Sequence, residues 1–246
     1  MHDTPIPPPI IDVKNLRVTR QGRDVLHGLN LRLTERRIGM VGRNGSGKST
    51  LARCLCGLQE KSAGTVTIAG VDVAKDRRGA LDAVGILFQN PDHQIIFPTV
   101  IEEISFGLRQ QGQGKADAAR IALDWLQDFQ RTHWADRSVA TLSQGQRHLV
   151  CLISVLAMRP KAILLDEPFA GLDIPTTQQL QAILADLEQT LIHITHDETT
   201  LAGYDRVIWL ESGAVHMDGP PNQVLPAYLD TMTNPGAFDA FADIAD

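Results

Sequence analysis

The chain has 246 residues, 43% of them apolar, and a formal net charge of −6 with both signs intermixed. That length predicts one large domain with a sizeable core, and the acidic balance argues against a broad nucleic-acid footprint while leaving a local nucleotide site open. No secretory signal is visible and no apolar run approaches the ~20 residues that cross a bilayer, so a soluble chain is expected, held at a membrane only through another protein.

Residues 1–9, rich in proline, read as a disordered arm. Residues 10–33 carry strand-like alternation broken at Gln21, Gly22, Arg23 and Asp24, a hairpin turn. Residues 37–41 are short and apolar and predict a buried strand; residues 51–55 suit a helix. Between them runs Gly42, Arg43, Asn44, Gly45, Ser46, Gly47, Lys48, Ser49, Thr50, which fits G-x-x-x-x-G-K-[ST], the phosphate-binding P-loop. The chemistry needs that order. A tight glycine loop converges its N–H groups on phosphate oxygens, and the helix behind it points its positive end the same way. Lys48 supplies charge for the β- and γ-phosphates of a nucleoside triphosphate, and the Ser49 hydroxyl can ligate Mg²⁺.

Residues 65–69 predict a further strand, so the front end suggests a mixed sheet beside a parallel core. Residues 84–88 read as a strand ending at Gln89. The span of about 99–158 is helix-rich, with helical spacing over 116–129 and a buried core helix at 149–158. Cys54, Cys56 and Cys151 have no metal-ligand spacing and are expected as buried free thiols in a reducing cytosol. Residues 161–165 form an apolar strand leading into Asp166 and Glu167. Residues 174–189 are helical, 191–195 and 206–210 are strands, 222–228 is a short helix, and 229–246 is a tail.

A continuous apolar strand is buried on both faces, and α/β sheets place ligands at the carboxyl ends of such strands. Asp166 there would contact Mg²⁺, and Glu167 would orient or deprotonate an attacking water. Leu142, Ser143, Gln144, Gly145 and Gln146 open a helix. Ser143 with Gln146 makes a capping box, and a capped start beside Gly145 also presents the Ser143 hydroxyl and free N–H groups to an anion.

This set, P-loop, Leu142–Gln146 segment and Asp166-Glu167, resembles the ATP-binding subunits of ABC transporters, and the resemblance covers nearly the whole chain. It implies an α/β P-loop NTPase fold with a mainly parallel core sheet, a β-rich N-terminal lobe and a helical signature lobe at about 90–158, the whole domain spanning 10–228. Gln89 then looks like the Q-loop glutamine, a Mg²⁺ and water contact. Asp173 looks like part of the D-loop, and His196 looks like the switch histidine that would bond the γ-phosphate. Two copies would meet head to tail, each ATP lying between Lys48 of one and Ser143 and Gly145 of the other. The partner copy would be the same chain or a paralogue. The chain departs from the family pattern at Gln144, where glycine is usual, and at Arg20, where an aromatic residue usually stacks on adenine; Arg20 is expected on the base.

Residues 88–107 resemble the ATPases of energy-coupling-factor transporters, which take up vitamins and transition-metal ions. Within that group the biotin type is nearest and the cobalt and nickel type next. The resemblance implies an integral-membrane coupling subunit, a membrane substrate-binding subunit and a place on the cytoplasmic face of the cell membrane. Glu102 and Glu103 are candidate contacts for basic coupling helices. Two other classes are weighed: a soluble ABC ATPase of DNA repair or translation, which would bring tandem cassettes, coiled coils or basic surfaces, and a P-loop phosphotransferase, which would not need the Ser143 segment.

Overall fold

The computed structural model describes residues 11–233; the arm expected at 1–9 and the part of the tail at 234–246 lie outside the described residues. Strands β1 (Ile11–Arg20) and β2 (Arg23–Leu33) reverse at Gln21 and Gly22. Both turn residues have positive φ, 50° and 76°, which matches the twist of a two-residue hairpin. β3 (Arg37–Val41) leads through the glycine loop into α1 (Lys48–Leu55). Next come β4 (Ala63–Ile68), β5 (Val71–Asp72), α2 (Arg77–Ala83) and β6 (Val84–Leu87). Three helices follow, α3 (Val100–Gln110), α4 (Lys115–Asp128) and α5 (Gln144–Ala157). The chain closes with β7 (Ala162–Asp166), α6 (Ile174–Ala185), β8 (Thr190–Ile194), β9 (Arg206–Glu211), β10 (Ala214–Gly219) and α7 (Pro221–Thr233).

The strands make two sheets. One has the order β2-β1-β4-β5 with every described pairing antiparallel, so the mixed front-end sheet expected from sequence is instead antiparallel. The hairpin turn forces β1 against β2, and β4 returns alongside β1 only after α1. The other sheet has the order β10-β9-β3-β8-β7-β6, parallel from β9 to β6, with β10 as an antiparallel edge. Parallel pairing puts the carboxyl ends of β3, β6, β7 and β8 on one rim, where the glycine loop, Gln89, Asp166 and His196 emerge.

β7 shows why this sheet is central. Ile163, Leu164 and Leu165 are all 0% exposed. Alternate side chains serve different cores: Leu164 joins the cluster between the two sheets, with Leu51 and Leu55, while Ile163 and Leu165 join the cluster under α3 to α5. Burying each such side chain stabilises by roughly 1.5–3 kcal/mol. The helical lobe packs on that second cluster through Ile104, Leu108, Leu126 and Leu152.

Two helices differ in length from expectation. α6 stops at Ala185 rather than 189, because the Arg37 guanidinium takes the carbonyls of Ala185, Leu187 and Gln189 and turns the chain toward β8. α7 runs on to Thr233, taking in the first residues of the expected tail, with Val224 and Tyr228 packed on Trp209 of β9. Cys54 and Cys151 are buried free thiols, while Cys56 is half-buried. Burial nevertheless pushes the Cys54 thiol up to about 11 and the Cys56 thiol to about 12, so all three cysteines are inert at neutral pH.

Candidate functional site

A cavity of about 530 Å³ lies at the rim of the parallel sheet, walled by Asn44 through Thr50, Gln89, Asp166, Glu167 and His196. The loop is shaped by close backbone approach. A Cβ on Gly42 would sit 2.2 Å from the Leu210 carbonyl oxygen, so the β9 main chain excludes any side chain there. Gly47, with φ 101°, caps α1. The first helical bond is Leu51 N–H to Gly47 O at 2.8 Å, which leaves the N–H groups of Lys48, Ser49 and Thr50 without a helical acceptor, the arrangement that binds anions. The Lys48 ammonium donates to the carbonyls of Gly42 at 2.6 Å and Arg43 at 2.8 Å, keeping one donor in hand, and burial holds its pKa below the usual lysine value.

The acids sit opposite. Burial raises the Asp166 and Glu167 pKa values above the ordinary carboxylate range, opposed by Arg53, Lys48 and His196 on Asp166 and by His196 and Lys48 on Glu167. Glu167 takes the left-handed region at φ 50°, uncommon for a residue with a long side chain. It is held there by its own N–H donating to Ile194 O at 2.9 Å, the β8 carbonyl two residues before His196. The His196 N–H donates to Glu167 Oε2 at 3.4 Å. Its Nε2 stands 3.2 Å from Oε1 at an angle poor for a hydrogen bond, so this contact becomes an ion pair only when His196 is protonated. Strain at Glu167 is thus stored beside the cavity by a strand-to-strand hydrogen bond.

Ser49, Gln89 and Asp166, the residues expected at Mg²⁺, share this cavity, and all offer hard oxygen atoms. Among the described residues no three His, Cys, Asp or Glu side chains gather as a metal cage. That donor set suits an ion held by one or two protein oxygens and completed by phosphates and water.

Other expected residues lie elsewhere. Arg20 does not line the cavity; it is exposed at the end of β1, with its guanidinium on the Gln59 side chain. The cavity wall at that side is Val25 of β2, which sequence patterning does not reveal because it belongs to the other sheet. Gly42 and Arg43 are absent from the cavity wall, their carbonyls instead holding the Lys48 ammonium. Ser143, Gly145 and Asp173 are also absent from the cavity wall. Ser143 completes its capping box: its Oγ accepts from Gln146 N–H at 3.3 Å, and its N–H donates to Gln146 Oε1 at 2.9 Å. Asp173 caps α6 by accepting from Thr176 N–H at 2.9 Å. The two caps pack together. A Cβ on Gly145 would meet Thr176 Cγ2 at 2.7 Å, and one on Gly171 would lie 3.0 Å from Gln144 Nε2. Gln144, the departure from the usual glycine, therefore rests against the D-loop of its own chain. Glu103, expected as a candidate contact for a coupling helix, is 6% exposed and accepts from the N–H groups of Ile96 and Phe97. Glu102 accepts from the Thr99 hydroxyl in the first turn of α3.

The glycine loop, the two acids and His196 therefore meet in one cavity, and the family model described as ABC transporter matches residues 26–170. The chain belongs to the ABC transporter family. Within it, the chain is an ATPase of energy-coupling-factor type, binding ATP and coupling its hydrolysis to transport. It is 53% identical over 222 residues, 90% of this chain and 95% of the relative, to the biotin transport ATP-binding protein BioM of Rhodobacter capsulatus. It is 36% identical, over 95% of this chain and 86% of the relative, to the energy-coupling factor transporter ATP-binding protein EcfA1 of Ligilactobacillus salivarius. Among solved structures, cbiO1 of Clostridium perfringens, part of the ABC transporter complex cbiONQ, superposes with TM-score 0.75 at 28% identity, covering 92% of this ABC ATPase and 94% of that chain. The dimeric structure of MJ0796, a bacterial ABC transporter cassette, superposes with TM-score 0.75 at 26% identity over 86% of this chain and 98% of that one. Among the described residues of the ABC ATPase, no helix is long and apolar enough to cross a membrane.

Proposed function

We propose that the chain is the ATP-driven motor of a biotin importer, working as a head-to-tail dimer on the cytoplasmic face of a membrane. The observation that carries this reading is the division of the ATP machinery. The loop, Asp166, Glu167 and His196 share a cavity, while Ser143 and Asp173 stand exposed and outside it, free for a second copy. The likeness to BioM supports biotin as the cargo, and the dimeric cassette supports the pairing.

In this reading ATP phosphates lie on the N–H groups of the P-loop, with Lys48 leaving the carbonyls of Gly42 and Arg43 for the β- and γ-oxygens. Ser49, Gln89 and Asp166 would hold Mg²⁺, which supplies charge neutralisation on the phosphates. Glu167, with its basicity raised by burial, takes the proton of the attacking water, and His196 steadies Glu167 and the γ-phosphate. Ser143 and Gly145 of the partner copy close over the same phosphate, so ATP favours the closed dimer and phosphate release undoes it. Arg20 would reach adenine only by leaving Gln59, and Val25 offers the base an apolar wall.

A groove of about 530 Å³ between α2 and α3, with Leu58 and Ile96 exposed at 59% and 68%, would seat the membrane coupling subunit beside Gln89. Its apolar lining and the satisfied Glu103 carboxylate favour an apolar docking segment over a basic one.

Chains carrying Glu167→Gln, expressed with the native membrane subunits, should co-purify with them and still bind ATP. Uptake of labelled biotin should fall by about two orders of magnitude or more. Co-purification with uptake of another solute would reassign the cargo, and failure to co-purify with any integral membrane protein would overturn the transporter reading.

A further inference from the structure

A second cavity, of about 470 Å³, shares no lining residue with the ATP cavity. Its walls include Arg37, Phe169, Leu184, His193, Gly203 and Tyr204, a lining of mixed polar and apolar character, and its size is that of small-molecule sites. One of those polar groups has an unmet hydrogen-bonding need, and another is a cation without a carboxylate on its guanidinium.

The first is His193. It sits in β8, 1% exposed, with Nδ1 3.0 Å from the Tyr204 hydroxyl and Nε2 without a partner. Burial lowers its pKa to about 4, so the ring is neutral at physiological pH. When the Tyr204 hydroxyl donates to Nδ1, the tautomer left has Nε2–H as an unused donor. Buried donors without acceptors are few in folded proteins and cost stability.

The second is Arg37. Its terminal nitrogens donate to the carbonyls of Arg36, Ala185, Leu187 and Gln189, and it forms no salt bridge among the described residues. Asp205, the nearby carboxylate, accepts from the Arg37 backbone N–H instead. A cation wrapped in neutral carbonyls therefore lines a cavity that also has an unused donor in its wall, beside the apolar side chains of Phe169 and Leu184. Both features favour an anion with a flat apolar body.

The cavity also reaches the catalytic segment. Phe169, two residues beyond Glu167, lies edge-on to His193 with centroids 5.5 Å apart and planes at 90°. His193 Nε2 is closed to water, so a ligand engages it only by displacing a wall side chain. Phe169 is the wall residue on the segment that carries Glu167.

We propose that this cavity binds small aromatic monocarboxylates, the carboxylate meeting His193 and Arg37 and the ring packing among Phe169, Leu184 and Tyr204, and that occupancy changes the rate of ATP hydrolysis by moving Phe169.

Benzoate is the probe, titrated into the full chain by calorimetry and ligand-observed NMR. Saturable binding in the roughly millimolar range is expected, undisturbed by ATP. Benzamide should bind about tenfold more weakly, having lost the charge-assisted bond, and benzylamine not at all. Gly203→Phe adds bulk at the cavity wall without a backbone clash, because a Cβ there meets nothing within 4 Å. It should abolish binding while leaving ATP turnover intact, and His193→Leu should also abolish it. Benzoate should change wild-type turnover by about twofold and leave Gly203→Phe unaffected. Absence of saturation, displacement by ATP, equal binding of the three probes or undiminished binding in Gly203→Phe would each overturn the site. Saturable binding with unchanged turnover would overturn the coupling through Phe169.

Discussion

Asp166 and Glu167 lie side by side in a cavity that withdraws them from water, and their positions carry a cost visible in pH dependence. Burial raises the folded-state pKa of Asp166 above its value in the unfolded chain, about 3.9. The folded chain therefore binds this proton more tightly than the unfolded one. The resulting penalty is absent below the unfolded pKa, grows as pH rises through the folded pKa, and is constant above it. Asp166→Asn should thus raise the melting temperature of the nucleotide-free chain at pH 7 and give no gain at pH 3; thermal melts across that range check it. The cause of the penalty, a carboxylate partly withdrawn from water at the end of β7, was legible in sequence as two acids behind an apolar strand. The left-handed turn at Glu167 was not legible, because it depends on the Ile194 carbonyl of a neighbouring strand. Arg20 shows the same limit in reverse. Its place in the motif order pointed to the base, but its local partner Gln59, 39 residues away, is a matter of three-dimensional packing.

Among elements, the glycine loop between β3 and α1 is built by different constraints at different glycines. Gly42 is pressed against the β9 backbone, whereas Gly45 has φ 80° and a Cβ on it would meet nothing within 4 Å. Gly42→Ala must move main chain and should cost roughly 3 kcal/mol or more, while Gly45→Ala bears only the backbone strain, about 1 kcal/mol. Urea unfolding of the two variants measures the difference, and equal losses would contradict the packing. The element pattern itself was readable because periodicity reports burial. The apolar run of β7, the alternation of β1 and β2 and the Ser143 capping box all appear where their chemistry requires. The direction of pairing in the front sheet and the end of α6 were not readable. Both are decided by partners distant in sequence, such as Arg37 capping carbonyls 148 and more residues away.

For the molecule as a whole, the separation of Ser143 from the ATP cavity makes a single chain incomplete under the proposed function. Mixing chains with Lys48→Ala and chains with Ser143→Arg should restore one composite site per mixed dimer, with the other site doubly disabled. Neither parent homodimer should turn over ATP. Activity should therefore appear on mixing and follow the product of the two concentrations. A mixture as inactive as its parents would rule out sharing of the nucleotide between copies.

The turn between β9 and β10 has a further consequence. Gly213 accepts from His27 N–H and donates to Ser46 O, both at 3.0 Å, and a Cβ on it would lie 2.3 Å from the Val25 carbonyl oxygen. One hairpin tip thereby bolts the antiparallel sheet to the anion cradle through main-chain atoms alone. A linker or tag spliced between residues 212 and 213 would disarm the motor from a spot that looks, in the linear chain, like dispensable surface.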